Sequence, residues 1–141
     1  MKKYIALAFV SIVAVSCSSD EDIDTIKPEI TIITPTDHQE IEPGTTLSFK
    51  ANLKDNVGLA SYKIEIHSAE DGHQHRNEEI AFSYETVGSL SGTMQLLEKD
   101  ILVPANVLDG HYHVGIFVID TAGNQNQQFI EVFIGEDHHE H

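Results

Sequence analysis

The sequence contains no tryptophan, a single cysteine and few basic residues, and each shortage excludes a class of function. Only 8 of its 141 residues are lysine or arginine, against 23 aspartate or glutamate, so the formal net charge is -15. A surface this acidic repels phosphate backbones, and we therefore expect no nucleic acid partner. The absence of tryptophan argues against the flat aromatic platforms that bind carbohydrate. The single cysteine, Cys17, rules out an intramolecular disulfide.

The start of the chain has the pattern of an export signal. Lys2 and Lys3 precede an apolar run from Tyr4 to Val15, which is too short to cross a bilayer as a helix. The run ends in "AVSC", which resembles the lipobox of bacterial lipoproteins, and this resemblance implies that Cys17 is lipidated and becomes the first residue of the mature protein. The following "SSDED" resembles the acidic signal that sends lipoproteins of Bacteroidetes to the outer cell surface.

The rest of the chain contains short strand patterns separated by turn residues, and no convincing long amphipathic helix. We therefore divide the sequence into a signal peptide (1–16), an acidic tether (17–27), one folded domain (28–135) and an acidic, histidine-rich tail (136–141). Within the domain the patterns predict seven strands, at residues 29–34, 46–54, 61–67, 80–87, 93–103, 111–119 and 127–134.

Seven strands in just over a hundred residues are typical of an immunoglobulin-like β-sandwich, in which the third, sixth and seventh strands share one sheet. The stretches "PEITI", "KDNVGLASYKI" and "DTAGN" resemble bacterial Ig-like modules. The fold class that we expect is therefore all-β, an Ig-like antiparallel β-sandwich of about seven strands.

The motif Asp-Gly-His-x-His occurs twice, as "DGHQH" at residues 71–75 and as "DGHYH" at residues 109–113. Asp-Gly is a favoured turn, so the plain interpretation is two turns, each followed by solvent-exposed histidines. In the second copy, alternation along the strand places His111 and His113 on the outer face, because the apolar residues between and after them must face the core. Their Cα atoms are then ~7 Å apart, which allows both imidazoles to lean toward one metal ion.

His67 ends the third predicted strand, and on that strand it shares the outer face with Lys63 and Glu65. Because the third and sixth strands of this fold are antiparallel neighbours, the sequence places His67 beside the pair on the sixth strand. The loop that follows His67 carries the first copy of the repeat. We therefore predict a metal site formed by His67, His73, His75, His111 and His113.

Imidazole ligands without an available thiolate suit zinc, copper or nickel. Zinc is the first choice because it needs no redox partner, and copper is favoured by affinity. Glu65, Asp71 and Asp109 are predicted to accept hydrogen bonds from the other ring nitrogens. The tail residues His138, His139 and His141 are expected to bind metal only weakly. A lone exposed histidine such as His38 is expected to be structural or functionally neutral. The alternatives to a metal site are a solvated surface and a pH-sensitive interaction patch.

Strand parity predicts that all nine histidines lie at one end of the sandwich and that the tether enters at the other. At the tether end, Asp55, Asp120 and Asn124 offer oxygen ligands from two loops and suit calcium. The simpler interpretation is that these residues shape Asx-type turns.

The stretches "IHSAEDGHQH", "DGHYHVGIFVID" and "AGN" resemble a family of uncharacterised Bacteroidetes lipoproteins with an Ig-like domain, known as a domain of unknown function. That resemblance implies fold and location but no chemistry. Three histidines and a water on zinc would suit catalysis, yet the sequence contains no recognisable triad, phosphate loop or paired-carboxylate cleft, so we expect no enzyme.

These features together predict a surface-exposed, lipid-anchored protein of the outer membrane that binds zinc or copper. We expect a role in metal acquisition, with an outer-membrane transporter as partner. The alternative is an adhesion or protein-interaction module without metal.

Overall fold

The computed structural model describes residues 22–69 and 80–135, and within them the chain forms β-strands and no helix that could cross a membrane. The strands are β1 (Glu29–Thr34), β2 (Gln39–Ile41), β3 (Thr46–Lys54), β4 (Leu59–Ser68), β5 (Tyr84–Ser89), β6 (Met94–Leu102), β7 (Gly110–Asp120) and β8 (Gln125–Ile134).

Alternating side chains on the strands form the core between two sheets. On β7, Tyr112, Val114, Ile116 and Val118 are at most 1% exposed, while His113 and Phe117 between them are only partly buried and Gly115 is covered by Phe129. Burial of such large apolar side chains is the main force that holds two sheets together. The inward and outward faces predicted for this strand are therefore confirmed.

The two sheets have the strand orders β1-β3-β6 and β2-β8-β7-β4-β5. All pairings are antiparallel except that of β2 with β8, which is parallel. The third, sixth and seventh predicted strands correspond to β4, β7 and β8, which are neighbours in one sheet, as an immunoglobulin-like sandwich requires. The predicted all-β fold is confirmed.

Two details of the strand prediction are wrong. β2 was not predicted, because its three residues are too few to show an alternation. The fourth predicted strand starts too early, since β5 begins only at Tyr84. Ile80 instead forms an isolated bridge with Val107, and its carbonyl accepts the N–H of Leu108 at 2.9 Å.

Tyr112 fixes the entry into β7. Its hydroxyl donates to the carbonyl of Leu108 at 2.7 Å and accepts the N–H of Phe82 at 3.2 Å. A buried tyrosine near the start of this strand, bonded to backbone a few residues upstream, is a hallmark of immunoglobulin-like domains. The side chain therefore holds two chain segments against the strand that carries His111 and His113.

We expect Tyr112→Phe to lower the free energy of unfolding by about 1–3 kcal/mol, because the buried N–H of Phe82 and the partly buried carbonyl of Leu108 lose this partner. Urea denaturation followed by circular dichroism measures the change. Tyr84→Phe is the matched control, since Tyr84 is only half-buried. An equal loss in both variants would contradict this role of the Tyr112 hydroxyl.

Candidate functional site

One row of side chains crosses the outer face of the five-stranded sheet. His67 on β4 lies opposite His113 on β7, and His113 lies opposite Glu131 on β8. The row continues to His38, just before β2, whose N–H donates to the carbonyl of Glu131 at 2.6 Å. The position of His67 beside the histidines of β7 agrees with the prediction from strand order. We call His38, His67, His111, His113 and Glu131 the histidine patch.

The turn between β7 and β8 sets the register of this row. The carboxylate of Asp120 accepts the N–H groups of Ala122 and Asn124 at 2.9 and 2.8 Å. Gly123 has a φ of 92°, a conformation that glycine adopts more easily than other residues. From this turn β7 and β8 run antiparallel to each other, and their register places Glu131 opposite His113.

Glu131 is the centre of the patch. Its Oε1 atom lies 3.0 Å from Nδ1 of His111 and 3.5 Å from Nδ1 of His38. Its Oε2 atom lies 3.8 Å from Nε2 of His113. The Glu131 side chain is 31% exposed, whereas those of the three histidines are 41–72% exposed. One carboxylate therefore stands beside three imidazoles on an open surface.

His67 completes the patch from the other side. Its ring meets that of His113 edge to face, with 5.4 Å between centroids. Its Nδ1 atom lies 3.1 Å from the carbonyl oxygen of Ser68, and its Nε2 atom lies 4.0 Å from Oε1 of Glu65. The Nε2 atom of His67 is thus the ring nitrogen that faces away from the backbone contact.

The carboxylates that were predicted to accept hydrogen bonds from the histidine rings lie in different surroundings. Oε1 of Glu65 is the oxygen near His67, and Oε2 of Glu65 accepts a hydrogen bond from Nζ of Lys63 at 2.7 Å. Asp109 lies against Gly135, at the end of β8, and within the described residues it contacts no histidine. Its predicted role toward the loop histidines stays a prediction, because His73 and His75 lie outside the described residues. The remaining predicted positions lie outside the described residues, namely Cys17, Asp71, His73, His75, His138, His139 and His141.

Two members of the patch were not part of the predicted site. Glu131 was not considered, although counting residues outward from the turn after β7 would have paired it with His113. His38 was expected to be structural or functionally neutral. Its place beside Glu131 depends on the short parallel pairing of β2 with β8. Sequence alternation alone could not have indicated that pairing.

The patch is open rather than pre-assembled around an ion. Among residues 22–69 and 80–135, only Asp24, Asp55 and Asp120 bring three ligand atoms within 4.8 Å of one another. Exposed side chains change rotamer within nanoseconds, so the imidazoles can turn toward a common ligand without backbone movement.

The sequence as a whole, rather than the patch alone, identifies the family of this chain. A family model described as "Domain of unknown function (DUF4625)" matches residues 15–135. The chain belongs to this family. The resemblance to an uncharacterised domain family is therefore confirmed, and no curated protein matches the chain closely enough to count as a relative.

Several solved structures resemble this DUF4625 domain. The sporulation control protein Spo0M of Bacillus subtilis has 10% identity and a TM-score of 0.52, over 78% of this chain and 49% of that one. A DUF4466 family protein of Parabacteroides merdae has 8% identity and a TM-score of 0.51, over 74% and 42%. The chain therefore spans less than half of either protein, and at these identities the likeness concerns the fold alone.

A third similar structure contains the fibronectin(III)-like modules of Clostridium thermocellum CbhA, with 13% identity and a TM-score of 0.46. The match covers 76% of this chain and 96% of that one.

Proposed function

We propose that this DUF4625 domain binds a transition metal ion, zinc or copper, through the histidine patch. The observation that carries the proposal is the position of Glu131 beside three imidazoles. Histidines that bind metal generally donate their other ring nitrogen to a carboxylate or a carbonyl, which fixes the tautomer and raises the basicity of the ligand. Glu131 suits that supporting role, and it is equally a candidate ligand.

The contacts of the individual rings leave nitrogen atoms for a metal. His111 uses Nδ1 toward Glu131 and His67 uses Nδ1 toward a backbone carbonyl, so each retains Nε2. The two atoms belong to neighbouring strands of one sheet. We propose that His67, His111 and His113 provide the ligands, that Glu65 assists His67, and that His73 and His75 complete the site from the loop.

The proposed location is the outer membrane, with a lipid anchor on Cys17 and the domain exposed at the cell surface. Asp24, near the end of the predicted tether, contacts the loops at the end of the sandwich opposite the patch. An anchored domain would therefore present its histidines away from the membrane. We propose a non-enzymatic role in metal acquisition, in which the ion passes to an outer-membrane transporter.

A second candidate function is protein interaction without metal. Phe117 and Phe129 lie edge to face, with 5.4 Å between centroids, on the same outer face as the patch. Phe129 is 39% exposed. Exposed aromatic side chains are enriched at protein interfaces, so this part of the sheet suits a partner protein.

We expect Glu131→Gln to weaken zinc and copper binding by about 10–100-fold, because substituted supporting carboxylates reduce metal affinity by that amount. Calorimetric titration of the full chain measures the affinity, and elemental analysis of untagged protein purified without chelator measures the bound metal. Binding should weaken at lower pH, since protons compete for imidazole nitrogens.

The matched control is Glu98→Gln, which removes an exposed glutamate paired with Lys50 on the other sheet. Parent-like affinity in the Glu98 variant and weakened affinity in the Glu131 variant would support the site. Absence of saturable metal binding in the parent would refute it and favour the interaction module.

A further inference from the structure

Three carboxylates meet at the end of the sandwich opposite the histidine patch. They belong to Asp24 before β1, Asp55 after β3 and Asp120 at the end of β7. One ligand oxygen from each lies within 4.8 Å of the other two. Oxygen atoms that bind one Ca²⁺ at ~2.4 Å are at most ~4.8 Å apart. The spacing of the three side chains is therefore compatible with one shared calcium ion.

Turn formation explains only part of this arrangement. Oδ2 of Asp55 accepts the N–H groups of Val57 and Gly58 at 2.9 and 2.7 Å, and Asp120 accepts two N–H groups in its own turn. The Asx-type turns expected from the sequence are therefore present. They do not account for Asp24, which was predicted to lie in a tether.

Two oxygen atoms of the cluster have no hydrogen-bond partner. Asp55 is only 4% exposed, and its Oδ1 atom is buried without a partner, as is Oδ2 of Asp24. A buried polar atom without a partner is costly, and a charged one more so. The unpaired Oδ1 of the buried Asp55 is an observation independent of the clustering, and its lone pairs suit coordination of a cation.

Hydrogen bonds hold the Asp120 carboxylate in its turn. Burial by itself raises the pKa of Asp120, but hydrogen bonds from the side chain and N–H of Asn124, and from the N–H groups of Ala122 and Gly123, outweigh it and leave the pKa below its ordinary value. No ion pair within the described residues involves any of the three aspartates, so their mutual repulsion has no counter-charge.

We propose that Asp24, Asp55 and Asp120 bind a calcium ion that fastens the N-terminal segment to the base of the domain. An all-oxygen set suits a hard cation, and Ca²⁺ accepts irregular geometry more readily than Mg²⁺. Asn124 already links the two sides, because its Nδ2 donates to the carbonyl of Asp24 at 3.0 Å and to Oδ2 of Asp120 at 2.8 Å. The ion would set the direction in which the predicted tether leaves the sandwich. This site is independent of the histidine patch.

The test compares the full chain with Asp24→Asn, after removal of metal by chelation. This substitution keeps the shape of the side chain, and Asp24 lies outside the strands. We expect saturable Ca²⁺ binding with a Kd on the order of 10⁻⁴ to 10⁻³ M. About 10 mM Ca²⁺ should then raise the melting temperature of the parent by roughly 5–10 °C. Asp24→Asn should bind Ca²⁺ at least about tenfold more weakly, since it removes one of three charged ligands.

Asp22→Asn is the matched control, because Asp22 is an exposed aspartate of the same segment, and it should respond to Ca²⁺ as the parent does. In calcium-free buffer Asp24→Asn should melt no lower than the parent, since it relieves repulsion. The proposal is overturned if Ca²⁺ leaves the parent unchanged, if Asp24→Asn responds like the parent, or if Mg²⁺ has an equal effect.

Discussion

The double substitution His111→Ala with His113→Ala should abolish tight binding of zinc and copper and leave the fold intact. Both side chains point away from the core and are 50% and 41% exposed, so their loss opens no cavity. Their removal takes two imidazoles from the patch and leaves Glu131 with only His38 beside it. Calorimetric titration measures the affinity, and thermal melting followed by circular dichroism measures the fold.

The matched control is Gln125→Ala with Gln127→Ala, which removes two exposed side chains from the neighbouring strand β8. A deletion after Gly135 is the second control, because it should remove only the weak sites of the tail. The patch is not the metal site if the histidine double variant binds as tightly as the parent, or if only the tail deletion reduces binding.

Local patterns predicted most of the fold. The bounds of β1 and β3 agree with the predicted strands, because each has turn residues at its ends and a regular alternation within it. β2 also lies between turns, but its three residues are too few to show an alternation, and it exists because it pairs with β8 across a long stretch of sequence. Such a pairing depends on the packed structure rather than on local preference, so a single sequence does not indicate it.

The two clusters were predictable to different degrees. The place of His67 beside His113 followed from parity and strand order. Glu131 could have followed from the hairpin, since His113 lies seven positions before Asp120 and Glu131 lies seven positions after Asn124. Asp24 could not be predicted, because it lies in a polar segment without periodicity. Its contacts with Asn56 and Asn124 join residues that are distant in sequence.

The proposed attachment of the protein to a membrane depends on a single residue. Removing residues 1–16 leaves 6 basic against 23 acidic residues, a formal charge of -17, and such a chain is repelled by anionic lipid surfaces. Acyl chains overcome that repulsion, since each buried CH₂ contributes ~0.8 kcal/mol to membrane binding. In the proposed lipoprotein, the "AVSC" stretch would provide one acceptor for them, Cys17.

We therefore expect Cys17→Ala to move nearly all of the protein from the membrane fraction to the soluble fraction. Fractionation of cells followed by immunoblotting measures the distribution, and metabolic labelling with a fatty acid measures the acylation directly. Ser18→Ala is the matched control, because it changes the adjacent residue and keeps the cysteine, and it should remain with the membrane. If Cys17→Ala stays in the membrane fraction to the same extent as the parent, another part of the chain holds the protein there and the lipoprotein interpretation is wrong.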